Sequence, residues 1–192
     1  MDEREVPAQG GGLESMAGGP ASSGQGAWSW LREFTLALGI SIFIIVFLYQ
    51  PVKVEGTSMM PGLADQERIF INKYAYRLGS IERGDVVVFR YPGDPSKNYI
   101  KRVVGMPGDR IEIVRGAVLV NGERLEEPYL PERFRDTRSM SEVTVAAGSY
   151  FMLGDHRNLS SDSRDFGTVE RDAIFGKAVF AYWPAEMAGK LR

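Results

Sequence analysis

A serine hydroxyl attacks a carbonyl carbon only when a neighbouring group takes its proton. Ser58 sits in VEGTSMMPGL (residues 54–63), against two methionines and then a proline, and shortly after the most apolar run of the chain. Lys101 lies within YIKRVV (residues 99–104), a strand-like stretch in which alternation sets it on the opposite face from Ile100 and Arg102. Burial disfavours an ammonium ion. Bringing a lysine from about 10.4 to about 7.5 takes about 4 kcal/mol of differential destabilisation and makes it a usable base near neutral pH. A third segment, GDHRNLSSDSRDFG (residues 154–167), gathers hydroxyls, carboxylates and guanidinium groups. Taken singly each has an ordinary reading. Ser58 fits a turn residue, Lys101 an edge-strand lysine reaching into water, and the third segment a polar loop held by its own Asp–Arg pairs. That loop is no EF-hand, because the Asp/Asn alternation and the closing glutamate are missing.

Composition narrows the alternatives. The 192 residues contain no cysteine and one histidine, His156, which excludes disulfides, thiolate metal sites, cysteine nucleophiles and histidine-rich metal centres. A net charge of -2 gives no whole-chain reason to expect nucleic acid. With 44% hydrophobic residues the chain can bury a core, and its length suits one domain with an appendage.

These residues need elements to hold them. Residues 1–27 are rich in glycine and serine and read as a disordered tail. Residues 28–50 read as a transmembrane anchor. Residues 34–49 carry no charge, and the span from Trp28 to Tyr49 reaches about 33 Å as a helix. Trp28, Trp30 and Tyr49 stand where interfacial aromatics belong, and Pro51 is expected to end the helix. A cleaved leader would show a shorter apolar core and a small-x-small exit, unlike Leu48-Tyr49-Gln50-Pro51. Arg32 and Lys53 flank the span on either side, so charge hardly decides its orientation. From there to residue 192 the chain reads as short strands: 68–71, 85–90, 99–104, 110–114, 117–120, 150–153 and 178–183. Asn121-Gly122 marks a two-residue hairpin, and NKYAYRLG a helical turn stopped at Gly79. The fold class expected is mostly β: an antiparallel β-rich catalytic core, as sheets or a partly closed barrel, preceded by one N-terminal transmembrane helix.

Taken together, GTSMMPGL, RGDVVVFRYP, YIKRVVGMPGDRIEI and GDHRNLSSDSRDFG, in this order behind an apolar segment, resemble the bacterial type I signal peptidases, membrane-anchored Ser/Lys proteases. The resemblance runs from the anchor to about Tyr182. It implies cleavage of signal peptides from secreted preproteins after small residues (the Ala-X-Ala type), with Ser58 as nucleophile and Lys101 as general base. It further implies that Ser160 orients the lysine amine, that Asp162 pairs with Arg164 and Asp155 with Arg102 as structural supports, and that Val54, Met59, Leu63, Tyr99 and Ile100 line shallow substrate pockets. Residues 121–150 are too few for the large second domain of some members and are expected to form a short β insertion. The partners implied are signal peptides and the lipid bilayer, with neither cofactor nor metal and no nucleic acid. The resemblance also implies a single pass through the bacterial cytoplasmic membrane, with residues 51–192 on the extracytoplasmic side.

The chain departs from the family pattern at three positions. Gly56 stands where some members carry a serine that donates to the oxyanion, Gly62 replaces a common threonine, and His156 stands where asparagine is usual. Self-cleaving repressors share Ser/Lys chemistry, but they carry a DNA-binding helical domain where this chain has its apolar segment. The other alternative is a catalytically silent, membrane-tethered β-module that binds peptides.

Overall fold

The computed structural model describes residues 23–191, in two units that meet between Ser41 and Ile42. The first holds most of helix α1 (Ser23–Leu48). Within α1, residues 28–48 form a 21-residue span of mean hydropathy 2.1, about 32 Å long and with none of its apolar surface buried. Large side chains on every face, such as Trp30, Phe34, Leu38 and Phe43, are exposed. A helix that is apolar all round needs an apolar surrounding, and the span has the length of a hydrocarbon core.

The second unit is built from antiparallel strands. These are β1 (Tyr49–Lys53), β2 (Arg68–Asn72), β3 (Val86–Tyr91), β4 (Asp94–Gly105), β5 (Arg110–Val114) and β6 (Ala117–Val120). They continue with β7 (Glu123–Arg124), β8 (Met140–Thr144), β9 (Ser149–Leu153), β10 (Val169–Glu170), β11 (Ile174–Trp183) and β12 (Gly189–Lys190). Two one-turn helices, α2 (Ala75–Leu78) and α3 (Ser163–Phe166), interrupt them. The larger sheet runs β1-β2-β11-β3-β4-β9-β10, with β12 added to β11, and the smaller runs β7-β6-β5-β8. Both orders are linear, so among the described residues the fold is a pair of antiparallel sheets and not a closed barrel.

All seven expected strands form, and α2 stops at Gly79. Asn121 and Gly122 both take positive φ (56° and 87°), the backbone that joins β6 to β7 in a tight hairpin. The exit from α1 differs from expectation. The helix ends at Leu48, and Pro51 lies inside β1, paired with Phe70. β1 is the edge of the large sheet, where a residue without an N–H is tolerated.

Three apolar clusters hold these layers. Val87, Phe89, Val103 and Met152 pack between β3, β4 and β9, while Val104, Ile111, Phe151 and Leu153 join the two sheets. The third cluster, with Val54, Met59, Leu63, Ile69, Val86 and Ala181, lies beneath the segment between β1 and β2 that carries Ser58.

Candidate active site

β4 delivers Lys101 and the β1–β2 connection delivers Ser58. Residues 54–67 of that connection are tied down by Val54 N–H to Glu67 O (2.7 Å) and Leu63 N–H to Met59 O (2.8 Å). Met59 and Leu63, each 1% exposed, point into the core and fix the turn from inside. With the turn so held, Lys101 Nζ lies 2.7 Å from Ser58 Oγ and donates to it. Lys101 is only 4% exposed. Its burial pushes the amine down to about 8, against the opposing pull of the Asp162 and Asp155 carboxylates. A shift of that size corresponds to about 3 kcal/mol of penalty on the charged form. The contact therefore joins a hydroxyl to an amine whose charged form burial disfavours.

The loop after β9 closes over this pair. The carbonyl of Ser58 accepts the His156 N–H at 3.0 Å. Gly154 is required there, because a Cβ at that position would stand 2.5 Å from the Ser58 carbonyl oxygen and 2.1 Å from Ser160 Oγ. Ser160 is thus brought against the segment that carries Ser58. No hydrogen bond joins its buried Oγ to the Lys101 amine, so the Ser160–amine bond implied by the resemblance is not formed here; the hydroxyl lies beside Asp162 and helps to lower that carboxyl.

Both expected ion pairs are present, each as a two-pronged fork. Arg102 Nε and Nη2 donate to Asp155 at 2.8 and 2.6 Å, and Arg164 Nε and Nη2 donate to Asp162 at 2.7 Å each. Asp162 also caps α3 through the Arg164 N–H and accepts the Gly154 N–H at 3.0 Å. Burial alone would raise the Asp162 carboxyl, but the Arg164 fork and the Gly154 N–H outweigh it and hold the group below the ordinary carboxylate range. Phe166 packs against the rings of Phe89, Tyr91 and Tyr99, which fastens this loop to β3 and β4.

A groove of about 690 Å³ opens onto Ser58 and Lys101. Of the residues expected to line it, Val54, Tyr99 and Ile100 do so. Met59 and Leu63 instead line a smaller cavity of about 270 Å³ beside Arg102, Tyr129 and Asp155. The reason is the turn itself, which shows Thr57 and Ser58 to the groove and rotates the next apolar side chains inward. Ile69, Ile71 and Val88 also line the groove and were missed. Their alternation along β2 and β3 is the signal that would have found them. The Gly56 N–H donates to Asp65 at 2.7 Å and so is engaged away from any oxyanion.

A polar lattice behind the site was also missed. Glu127 and Arg157, both buried, form a bidentate pair, and Tyr129 donates to Glu127 at 2.9 Å. The Tyr129 ring lies 4.0 Å from the guanidinium of Arg102. Residues 127–135 thereby brace the ion pair beneath the turn that carries Ser58. Only the charge-rich sequence EEPYLPERFR hinted at this. Among the described residues, no three carboxylate or imidazole groups gather as metal donors.

Residues 27–183 match the family described as "Signal peptidase, peptidase S26". Signal peptidase I of Bacillus amyloliquefaciens is 36% identical over 167 residues, covering 82% of this chain and 86% of its own length. Signal peptidase IB of Staphylococcus aureus is 33% identical over 171 residues, covering 81% and 88%. A crystal structure of a signal peptidase I from Enterococcus faecalis matches with 29% identity and a TM-score of 0.46, over 52% of this chain and 97% of that one. On the family match and the two relatives, the chain belongs to the signal peptidase family, peptidase S26.

Proposed function

We propose that this chain is a signal peptidase I, a membrane-anchored serine endopeptidase that cuts signal peptides from secreted preproteins with Ser58 as nucleophile and Lys101 as general base. The observation that carries the reading is the 2.7 Å contact between Lys101 Nζ and Ser58 Oγ, made by an amine that burial has brought down to about 8. Once the amine is neutral the hydrogen bond reverses, and the Ser58 hydroxyl donates to the nitrogen lone pair. The proton passes to Lys101 as Oγ attacks the scissile carbonyl, and it leaves on the departing amine as the ester forms on Ser58. Lys101, neutral again, then takes a proton from the water that hydrolyses the ester. Among the described residues the Ser58 N–H has no acceptor, which suits it to receive the oxyanion. One such donor is typically worth about 3 kcal/mol.

The apolar lining of the groove supports a preference for small side chains. Val54, Ile69, Ile71, Val88, Tyr99 and Ile100 give it apolar walls around Ser58. An alanine side chain fits such a site, while a large one displaces the scissile bond. Met59 and Leu63 serve the pocket indirectly, by holding the turn that carries Ser58. Ser160 supplies the hydroxyl that accepts from the lysine amine and aims its lone pair. The apolar span sets the enzyme in the bacterial cytoplasmic membrane in a single pass, with the β domain on the extracytoplasmic side, where preproteins emerge. The test is turnover of a preprotein by purified variants. Ser58→Ala and Lys101→Ala should each abolish cleavage with the fold retained. Lys101→Arg should fail too, because a guanidinium stays protonated at any usable pH. Turnover by the arginine variant would overturn the assignment of the base.

A further inference from the structure

The peptide unit between Thr57 and Ser58 has two ends. Its N–H is the Ser58 N–H, and its carbonyl oxygen is that of Thr57. The bond is trans, since the cis peptides are at Met60-Pro61 and Trp183-Pro184, and a trans peptide plane points its C=O and N–H in opposite directions. Whatever grips the Thr57 oxygen therefore aims the Ser58 N–H. Two groups grip it: the Met60 N–H at 3.1 Å, within the turn, and His156 Nδ1 at 3.1 Å, from the loop on the other side. A carbonyl only accepts, so Nδ1 carries the hydrogen. The same residue uses its backbone N–H to hold the Ser58 oxygen at 3.0 Å, which fixes the next peptide plane as well. The imidazole is itself set in place from behind. Phe134 meets it edge-on, with centroids 4.8 Å apart at 86°, and the Phe134 carbonyl accepts the Arg157 N–H at 2.9 Å.

We propose that His156 is the positioning residue for the oxyanion donor: its Nδ1–H holds the Thr57 carbonyl, turns the Ser58 N–H toward the groove, and transmits to it the rigidity of residues 127–135. The inference rests on the reading of Ser58 as nucleophile. His156 neither touches the reacting atoms nor moves the reacting proton, and its contribution is confined to the transition state, where the donor is used. Because the Met60 N–H shares the same oxygen, loss of the imidazole loosens the peptide plane without freeing it.

The test uses the full-length enzyme in detergent with a preprotein substrate, and compares His156→Leu, His156→Phe and His156→Asn. Leucine removes the donor, phenylalanine keeps a ring against Phe134 without a donor, and asparagine offers an amide N–H at the reach of Nδ1. Leucine and phenylalanine should each lower kcat about tenfold with KM changed less than twofold, and asparagine should return the rate to within about threefold of the parent. A peptide aldehyde, which forms a tetrahedral adduct on the serine, should bind the first two variants more weakly by the same tenfold factor. Binding of the cleaved signal peptide should not change. Melting temperatures separate loss of fold from loss of aim. If leucine lowers stability, the phenylalanine–asparagine comparison still decides the matter. Donor-less variants within twofold of the parent, asparagine as slow as leucine, or a loss confined to KM would each overturn the proposal. Activity in Ser58→Ala would instead overturn the reading on which it rests, so the two failures are distinguishable.

Discussion

Lys101 and Arg102 are neighbours on β4 that serve opposite sides of the strand: the amine reaches Ser58 at 2.7 Å, while the guanidinium grips Asp155 at 2.6 and 2.8 Å. One step along the backbone separates a cation without a forked carboxylate partner from one that is fully paired. Both side chains are buried, yet burial acts on them with opposite outcomes. For Arg102 the desolvation that would lower its pKa is outweighed by the hydrogen bonds and charge of Asp155, so it is raised. For Lys101 desolvation wins, and the amine falls to about 8. The strand thus holds one charge fixed by a carboxylate and one that burial disfavours, as the proposed base requires.

That division has a cost in stability, which Lys101→Met should reveal. The folded pKa of about 8 lies below the unfolded value of 10.5. Below pH 8 both states are protonated, and the folded state bears the full penalty of the buried ammonium. Between pH 8 and 10.5 the unfolded chain binds more protons, so stability rises with pH, and above 10.5 the penalty is gone. At pH 7 the methionine variant should be more stable than the parent, by up to about 3 kcal/mol, and inactive. Denaturant melts at pH 7 and above pH 10 check this. An advantage that does not shrink at high pH would assign it to packing and not to charge.

Ser160→Ala isolates aim from chemistry. Ser160 Oγ makes no bond to the amine, and Asp162 beside it keeps the Arg164 fork and the Gly154 N–H without it, so its removal should barely affect stability. The base remains but samples poorer geometries, and kcat should fall by about 10- to 100-fold, roughly 1.4–2.7 kcal/mol, with KM little changed. Ser161→Ala, its exposed neighbour, should cost less than about threefold. Steady-state kinetics of the two variants decide between them, and an equal or larger loss at Ser161 would assign the wrong hydroxyl.

Asp155→Ala should act through the fold. It leaves the Arg102 guanidinium buried beneath the nucleophile turn with its fork unmet, a change that typically costs about 3–5 kcal/mol. Replacing both partners with apolar residues should recover much of that loss. Chemical denaturation of the single and double variants measures the difference. A single variant within 1 kcal/mol of the parent, taken as roughly the worth of a surface pair, would contradict the buried-pair account.

How far the sequence disclosed this arrangement depended on what each feature rests on. The strands were legible because apolar alternation reports a half-buried face directly, and the Asn121-Gly122 hairpin because few residues accept positive φ. Ser58 and Lys101 were legible through their flanking motifs, although 43 positions separate them and no local pattern shows that they meet. Met59 and Leu63 were expected in the groove, yet they face the core. An apolar residue beside a nucleophile looks alike whether it lines a pocket or anchors a turn, and only the path of the backbone distinguishes the two. The bracing by Glu127, Tyr129 and Arg157 was illegible for a related reason: it joins segments 30 residues apart by polar contacts, which leave no periodicity. β1 escaped notice because Pro51 reads as a stop and an edge strand tolerates it.

The pH dependence of kcat/KM for preprotein cleavage tests the Ser58–Lys101 assignment most directly. The ascending limb reports the ionisation that must be complete in the free enzyme. If Lys101 is the base, the rate rises with pH through an apparent pKa near 8, and the limb stays where it is in His156→Asn. A limb that is lost in that variant would contradict the account and make His156 the base.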